Sequence, residues 1–359
     1  MQNRRRIGTA SSALNNFTFR AALDWVEFEV TLPSVSQFRH VQDRMLEVWG
    51  KTYLTPLGVP ESTRRFRFRR NNPPGPDQFM RELQSMVKAG DPPITECDVR
   101  VLGIEVALDA YIEGSDHQAL AQAAMHFLRH QAHPPAGLPR ITGKGYVHEP
   151  KTPQEALQAL SHEKISINMG KKGADHTARV YVKNYDSMDG VQYAPLPPEQ
   201  WRARFENTLQ GAAVPFTTIQ GWRCFKFEKG LADHFALVTL DATPNSLPAL
   251  MKDRLIQLGR RPDSPKRRPS DRRGRAPYTQ RDVKTNDKIR QALRALTRAQ
   301  SCQNSVTKID TRQSAPLESV CEGHESPKYC ITPNEELAMS LNPSHIPAQS
   351  PMTGCYAPR

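Results

Sequence analysis

One short stretch, TARVYVKNYDSMDG at residues 177–190, carries side chains that could act on a phosphate. Arg179, Tyr181 and Lys183 occupy every second position, with a valine in each gap. On a strand, this spacing puts the guanidinium, the phenol and the ammonium group on one face and the valines on the other. A tyrosine can attack a phosphodiester if it loses its proton and the developing negative charge is stabilised, which flanking cations can do. The alternative is an ordinary surface strand.

Carboxylates recur with the same period of two in two further segments. In GIEVALDAY, Glu105 and Asp109 share one face of a predicted strand and apolar residues share the other. Two carboxylates on one face repel each other, and a divalent metal with oxygen ligands is one solution, while a solvated strand face is the other. In RARFEN, Arg204 and Glu206 share a face only if the segment is a strand. Glu206 could then join the carboxylates, and Arg204 could contact a phosphate.

Two basic segments are candidates for contacts with DNA. The turn NMGKKGAD carries Lys171 and Lys172 beside glycines that allow close approach of a phosphate, although a plain hairpin tip has the same composition. The segment RRFRFRR, residues 64–70, alternates Arg65, Arg67 and Arg69 with phenylalanines. The arginines could bind phosphates, and we expect the phenylalanines in the core rather than stacked on bases.

The overall charge favours a polyanionic partner. The formal net charge is +12, and residues 251–290 hold 14 Lys or Arg against 5 Asp. We expect this basic arm to hold DNA through its phosphates, which gives affinity without sequence choice. Its candidate contacts are Lys266, Arg267, Arg268, Arg272 and Arg273. No apolar run is long enough for a membrane span and no GxxxxGK[ST] motif is present, so we expect a cytoplasmic protein that is not an NTP-driven motor.

The elements that must position these residues alternate between strand and helix patterns. Strands are predicted at 23–32, 64–70, 99–112, 164–170, 178–185 and 222–230, and helices at 34–49, 76–90, 116–131 and 197–211. The core of 197–211 fits a strand equally well. Because strict βαβ alternation is missing, the pattern predicts an α+β fold, an antiparallel sheet covered by helices.

The domain organisation follows from where this periodicity stops. We expect a flexible N-terminus at 1–19, a folded domain at 20–245, and a basic linker at 246–300. The linker ends in a short amphipathic helix, because Ile289, Ala292, Leu293 and Leu296 follow helical spacing. Ser, Pro, Asn and Thr dominate 301–359, which predicts a largely disordered tail.

The order of these motifs resembles the replication initiation factor family, whose members start rolling-circle replication of plasmids and filamentous bacteriophages. The family's Arg-Ile-Asp-Leu-Ala-x-Asp strand is similar to GIEVALD, with Gly103 in place of the Arg and Glu105 in place of the first Asp. Its glycine turn is similar to NMGKKGAD without the serines, its Arg-x-Tyr-x-Lys segment to residues 179–183, and its Arg-x-Glu element to RFE at 204–206. LDWVEFEV, with Asp24, resembles the family's opening strand. The resemblance covers about residues 20–240 and implies that the domain at 20–245 is a catalytic and origin-binding replication initiator domain.

The resemblance implies a site-specific endonuclease and strand transferase acting on single-stranded DNA. Tyr181 would attack a phosphodiester at the origin, form a 5′-phosphotyrosine link and free a 3′-OH primer, with Arg179 and Lys183 beside it. Tyr185 is the alternative nucleophile. Mg²⁺ or Mn²⁺ would be held by Glu105, Asp109 and Glu206.

The partners implied are origin DNA, double- and single-stranded, with a host helicase and a second copy of the chain as further expectations. The rival hypothesis is a DNA-binding accessory protein or repressor without catalysis. It does not need the tyrosine and the carboxylates to meet around one cleft.

Overall fold

The computed structural model describes residues 14–50, 53–58, 62–87, 90–143, 146–187, 193–240 and 279–302, and these form helices on an antiparallel sheet. The strands are β1 (Thr18–Gln37), β2 (Tyr53–Pro56), β3 (Ser62–Asn71), β4 (Val99–Tyr111), β5 (Arg140–Gly143), β6 (Tyr146–His148), β7 (Ser166–Met169), β8 (His176–Lys183), β9 (Tyr185–Ser187), β10 (Tyr193–Pro195), β11 (Arg202–Gln210), β12 (Val238–Leu240) and β13 (Thr279–Arg281). The helices are α1 (Phe38–Trp49), α2 (Pro76–Gln84), α3 (His117–His130), α4 (Pro153–Leu160), α5 (Ile219–Cys224), α6 (Phe227–Gly230) and α7 (Val283–Cys302).

Nine of the described strands form one sheet in the order β2-β3-β1-β4-β11-β8-β7-β5-β6. Every neighbouring pair in it is antiparallel. The predicted α+β class is therefore confirmed.

The alternation in β8 gives the sheet two chemically different faces. Ala178, Val180 and Val182 are buried, and the residues between them, Arg179 and Tyr181, point to the opposite face. The register of β8 with β11, and of β11 with β4, places the residues of this second face in rows across the sheet. One row joins Asp109, Arg204 and Tyr181, and the next joins Ala107, Glu206 and Arg179. We call this side of the sheet the polar face.

Helices cover the other face through apolar and aromatic contacts. Phe79 of α2 stacks on Phe28 of β1 with ring centroids 4.1 Å apart, and Phe127 of α3 lies 5.5 Å from Phe205 of β11. Both helices have local reasons to begin where they do: Pro76 is at the start of α2, and the Asp116 side chain accepts a hydrogen bond from the Gln118 N–H before α3.

One predicted strand was wrong. Residues 222–230 form the end of α5, a break, and α6 instead of a strand. The Thr218 hydroxyl caps α5 by accepting from the Gly221 N–H, and both Trp222 and Phe227 are buried in the core. Alternating aromatic residues here reflect two short helices, each burying one ring.

Two predicted helices were also changed. The segment RARFE is part of strand β11 rather than of a helix over 197–211, as the alternative prediction allowed. The helix predicted from residue 34 begins only at Phe38, because β1 continues to Gln37.

The amphipathic helix predicted near residue 290 is confirmed and is longer than expected. Ile289, Ala292, Leu293 and Leu296 of α7 are at most 5% exposed and join the same hydrophobic core as the sheet. The helix contacts β1 and α6, so it belongs to the compact unit Met1–Ile309 that contains every described residue.

Several predictions fall on residues that the structure does not describe. These are most of the flexible N-terminus at 1–19, the arm residues Lys266, Arg267, Arg268, Arg272 and Arg273, and the tail at 301–359 beyond residue 302. Within the described part of the chain, none of the helices has the length and apolar character needed to cross a membrane.

Candidate active site on the polar face

A β-bulge in β1 brings a third carboxylate to the polar face. Leu23 pairs with Val106 and Trp25 pairs with Glu105, so Asp24 is an extra residue between two consecutive pairs. Such a bulge re-aims side chains that strict alternation would send to opposite faces. It therefore lets Asp24 and Trp25 both lie on the side of Glu105.

Asp24, Glu105 and Glu206 form what we call the acidic trio. One carboxylate oxygen from each lies within 4.8 Å of the others. Glu206 is 1% exposed, and Glu105 accepts hydrogen bonds from the Thr208 hydroxyl at 2.6 Å and from the Trp25 side chain. Three neighbouring strands, β1, β4 and β11, thus each place one carboxylate oxygen within this distance of the other two.

Tyr181 and Arg179 are both attached to this trio. The Tyr181 hydroxyl donates to Glu206 Oε1 at 2.7 Å, and Arg179 Nε donates to Glu206 Oε2 at 2.6 Å. The Arg179 guanidinium also lies 5.1 Å from the centre of the Tyr181 ring. The structure therefore brings together four of the predicted site residues: Glu105, Arg179, Tyr181 and Glu206.

Asp109 was predicted as a metal ligand, but it lies outside the acidic trio. Its two oxygens accept from Arg204 Nε at 2.6 Å and Nη2 at 2.7 Å, and Arg202 Nε lies 3.2 Å away. Asp109 is 4% exposed, so this bidentate pair is buried. Asp24 takes the place in the trio that the prediction gave to Asp109. From the sequence, Asp24 was identified only as part of the segment LDWVEFEV. The β-bulge that turns Asp24 toward Glu105 has no recognisable sequence pattern.

Arg204 was predicted to contact DNA, and the structure places it inside. Its guanidinium is 5% exposed and is shared between Asp109 and Asp24, with Nη1 donating to Asp24 Oδ2 at 2.8 Å. It holds the two carboxylate groups in place from within the sheet.

The three carboxylates of the acidic trio are poorly hydrated and repel one another, which disfavours their charged forms. Burial raises the pKa of Asp24 to about 7, and Glu206, Glu105 and Asp109 add to the rise while Arg204 opposes it. Burial and Glu206 likewise raise the pKa of Glu105. A divalent cation would relieve this repulsion, and three carboxylates are the hard oxygen donors that Mg²⁺ and Mn²⁺ take. The residues present therefore fit such an ion.

The phenol of Tyr181 keeps its proton until a base removes it. Burial, together with the neighbouring Glu206, raises its pKa well above the ordinary value, and Arg179 and Arg204 lower it only in part. Glu206 is the base in position, because it already accepts the phenolic hydrogen bond.

Two clefts open onto this group. The larger, about 530 Å³, is bordered by the glycine turn after β7, by Arg69, Arg140 and Arg179, and by Glu105. Lys171 and Lys172 stand exposed at its edge. The smaller, about 330 Å³, is lined by residues 164–166 and 179–186 apart from Val180, so it contains Tyr181 and Arg179.

The other predicted catalytic residues lie at the smaller cleft. Tyr185 is on β9, a separate strand from β8, and its hydroxyl donates to Glu163 Oε2 at 2.7 Å rather than to the trio. Lys183 pairs with Asp186 at 3.0 Å. Lys183 lies two residues beyond Tyr181 on the same face of β8 and pairs across to Arg202 of β11.

The arginines of β3 form a ladder with glutamates of β1. Arg65 pairs with Glu29, Arg67 with Glu27 at 2.5 Å, and Arg69 with Glu27 at 3.5 Å. Their predicted DNA contacts would have to compete with these ion pairs. The intervening Phe66 and Phe68 are buried, as expected.

Gln210 and Trp25 pack against Gly103. A Cβ at Gly103 would lie 3.2 Å from Gln210 Cγ and 3.3 Å from the Trp25 ring, so these two side chains fill the space that a side chain would occupy there. The Arg69 guanidinium lies 3.8 Å from the centre of that ring and borders the larger cleft. A cation from β3 thus borders the same cleft as Glu105 of the trio.

No family model and no curated protein matches the chain. Among solved structures, a rolling circle replication initiator protein from Geobacillus stearothermophilus is similar, with a TM-score of 0.34 and 11% sequence identity over 63% of this chain and 89% of that chain. At this level of likeness, function has to be argued from the site itself.

Proposed function

We propose that this protein is a metal-dependent, site-specific DNA endonuclease and strand transferase that initiates rolling-circle replication, with Tyr181 as its nucleophile. The observation that supports this most directly is the 2.7 Å hydrogen bond from the Tyr181 hydroxyl to Glu206, a member of the acidic trio. The proposed nucleophile and base therefore adjoin a set of possible metal-ligand oxygens, beside Arg179, which borders both clefts.

The covalent step takes place between the Tyr181 phenol and a phosphodiester. The phenolic oxygen forms a bond to phosphorus as the bond from phosphorus to O3′ breaks, the phenolic proton passes to Glu206, and the released O3′ takes a proton from water. The products are a 5′-phosphotyrosine and a free 3′-OH. Because one phosphoester replaces another, the strand can be rejoined without ATP.

Arg179 and the acidic trio would stabilise the negative charge of the phosphate in different ways. Arg179 is 42% exposed, so its guanidinium can both hold Glu206 and reach a phosphate in either cleft. Asp24, Glu105 and Glu206 would hold Mg²⁺ or Mn²⁺, which would polarise the scissile phosphate when bound.

The DNA contacts proposed outside this centre are Lys171 and Lys172, with the arm residues as a further, sequence-based expectation. Cations on a turn or an arm bind phosphates and supply affinity that depends on salt. Origin DNA is the proposed partner, and the host helicase and the homodimer stay predictions.

The test is a nicking assay on supercoiled replicative-form DNA from the protein's own replicon, with Mg²⁺ or Mn²⁺. Wild type, Tyr181→Phe and Tyr185→Phe are compared by the labelled protein–DNA adduct on denaturing gels. We expect the adduct to be lost in Tyr181→Phe only. The phenylalanine keeps the ring beside Arg179 and removes one hydroxyl, so loss of the adduct would not reflect unfolding.

Two other outcomes would change the proposal. An adduct lost only in Tyr185→Phe would move the nucleophile to β9. Binding with neither nick nor adduct under either metal would favour the DNA-binding accessory protein or repressor.

A further inference from the structure

The two clefts lie end to end along β8 and share Arg179. Thr177 borders the larger cleft, Tyr181 and Lys183 border the smaller one, and Arg179 borders both. All four side chains alternate onto the polar face of one strand. A single DNA strand laid along β8 would place one segment in each cleft and one phosphate at Arg179.

The two clefts differ in the cations they offer. The larger one has Arg69, Arg140, Lys171 and Lys172 besides Arg179, and the smaller one has Lys164 and Lys183 besides Arg179. Among the described residues, neither Lys171 nor Lys172 forms an ion pair, whereas Lys183 of the smaller cleft is paired with Asp186. The larger cleft therefore has the stronger non-covalent hold on a phosphate backbone.

The turn that carries these two lysines is fixed in place. Gly170 has φ +96°, and a Cβ there would lie 3.0 Å from the His176 carbonyl oxygen and 3.1 Å from Pro135. Its carbonyl accepts a hydrogen bond from Arg140 Nη2 at 2.8 Å. Lys171 and Lys172 thus follow a backbone position that is held by close packing and a hydrogen bond, at the edge of the larger cleft.

The chemistry assigns a direction to the DNA, given the proposed function on which this inference rests. In an in-line displacement the leaving O3′ lies on the far side of phosphorus from the attacking oxygen. Tyr181 attacks from the smaller cleft with its hydroxyl aimed at Glu206. Glu105 pairs with Thr208, which pairs with Thr177 of β8, so Glu105 lies on the other side of Arg179 from Tyr181 and borders the larger cleft.

We infer that the larger cleft holds the DNA segment 5′ of the nick, which ends in the released 3′-OH, and that the smaller cleft holds the segment 3′ of the nick. The second segment stays bound through its 5′-phosphate on Tyr181. The first has no covalent bond once P–O3′ is broken, so it depends on phosphate contacts to stay in place for rejoining. The cleft with the unpaired lysines is the one that supplies them.

The test compares two oligonucleotides of about eight nucleotides that match the two sides of the mapped nick. The variant is Lys171→Ala with Lys172→Ala, and its matched control is Lys226→Ala with Lys229→Ala, which removes two exposed lysines at α6. Affinities are measured by fluorescence anisotropy, and rejoining is measured by adding the 5′-side oligonucleotide to the isolated adduct.

We expect the Lys171/Lys172 variant to bind the 5′-side oligonucleotide about tenfold more weakly and to rejoin it more slowly, with the 3′-side oligonucleotide changed less than about twofold. Equal weakening of both sides, weakening of the 3′ side alone, or the same loss in the control would overturn the inference. These outcomes leave the proposed function intact, since the wild-type adduct still forms. A wild type that forms no adduct on its own origin would instead overturn the proposed function, and the inference with it.

Photo-crosslinking gives an independent measurement with the wild-type protein. A 5-iodouracil placed 5′ of the nick should crosslink to residues within 140–142 and 168–174, and one placed 3′ should crosslink to residues within 164–166 and 183–186. The reversed assignment would overturn the inference.

Discussion

Two groups of carboxylates on the same polar face have opposite character. In the arginine–glutamate ladder (Glu27, Glu29, Arg65, Arg67 and Arg69) the cations outnumber the glutamates, and the arginine side chains are 31% to 57% exposed. In the acidic trio, Arg179 and Arg204 are the cations within ion-pair distance among the described residues, and Arg204 is shared with Asp109. Burial there raises the pKa of Asp24 to about 7.

The difference shows what separates a structural set of charges from a reactive one. Ion pairs whose arginines reach solvent contribute little to stability, and such arginines can exchange one partner for another at small cost. Buried carboxylates in excess of their cations are costly in the free protein, and that cost is recovered when a cation binds. The same residue types therefore form exchangeable ion pairs between β1 and β3 and, nearer the middle of the sheet, a group of carboxylates that favours a bound cation.

The largest expected effect separates Glu206 from a glutamate of the ladder. Glu206→Gln removes the base that accepts the Tyr181 proton, so the rate of adduct formation should fall about 10²- to 10⁴-fold. Glu29→Gln removes a carboxylate at the exposed end of the ladder and should leave the rate within about twofold. Single-turnover adduct formation measures both. Equal rates in the two variants would remove Glu206 from the mechanism.

The next effect concerns stability rather than rate. Arg204→Gln leaves Asp109 buried without its bidentate partner and should lower the free energy of unfolding by about 3–5 kcal/mol. Arg65→Gln breaks an exposed pair and should cost less than about 1 kcal/mol. Urea denaturation compares them, and similar costs would mean that burial does not distinguish the two regions.

Metal binding should stabilise the trio and not the ladder. At a Mn²⁺ concentration about 100 times the Kd, wild type should gain about 2.7 kcal/mol, because the ion binds the folded state. Glu105→Gln should lose most of this gain, and Glu29→Gln should keep it. Thermal unfolding with and without Mn²⁺ is the measurement, and an unchanged gain in Glu105→Gln would place the ion elsewhere.

The smallest effect concerns a half-buried histidine, His234, which lies away from both groups of carboxylates. It tests how burial shifts a titration. Burial, with His176 and His133 nearby, lowers the pKa of His234 to about 4. The unfolded chain, with a histidine pKa near 6.5, therefore binds more protons between pH 6.5 and 4. This contribution to stability is complete above pH 6.5 and is lost as the pH falls towards 4.

His234→Gln should consequently lose less stability than wild type between pH 7 and 4.5. The lowered pKa of His176, whose Nε2 contacts Asn207 Oδ1 at 2.7 Å, acts in the same direction and leaves a residual pH dependence in the variant. Urea denaturation at a series of pH values measures it. Parallel curves for the two proteins would mean that His234 is not the group that titrates.

The sequence by itself determined the local patterns of this protein. A period of two placed Arg179, Tyr181 and Lys183 on one face of β8, and helical spacing placed Leu293 in a core-facing position, because alternation and helical periodicity are properties of neighbouring residues. The α+β class followed from the same patterns.

Only the tertiary structure decided which polar residues meet. Asp24 joins the trio because of a β-bulge in β1. Asp109 is ion-paired with Arg204 of the adjacent strand β11. The arginines of β3 lie opposite the glutamates of β1. Each of these outcomes depends on strand register, and a shift of one residue would send every side chain to the other face. Register is set by contacts between segments far apart in the chain, such as Asp24 and Arg204, so the identity of the site's third carboxylate was fixed by the fold.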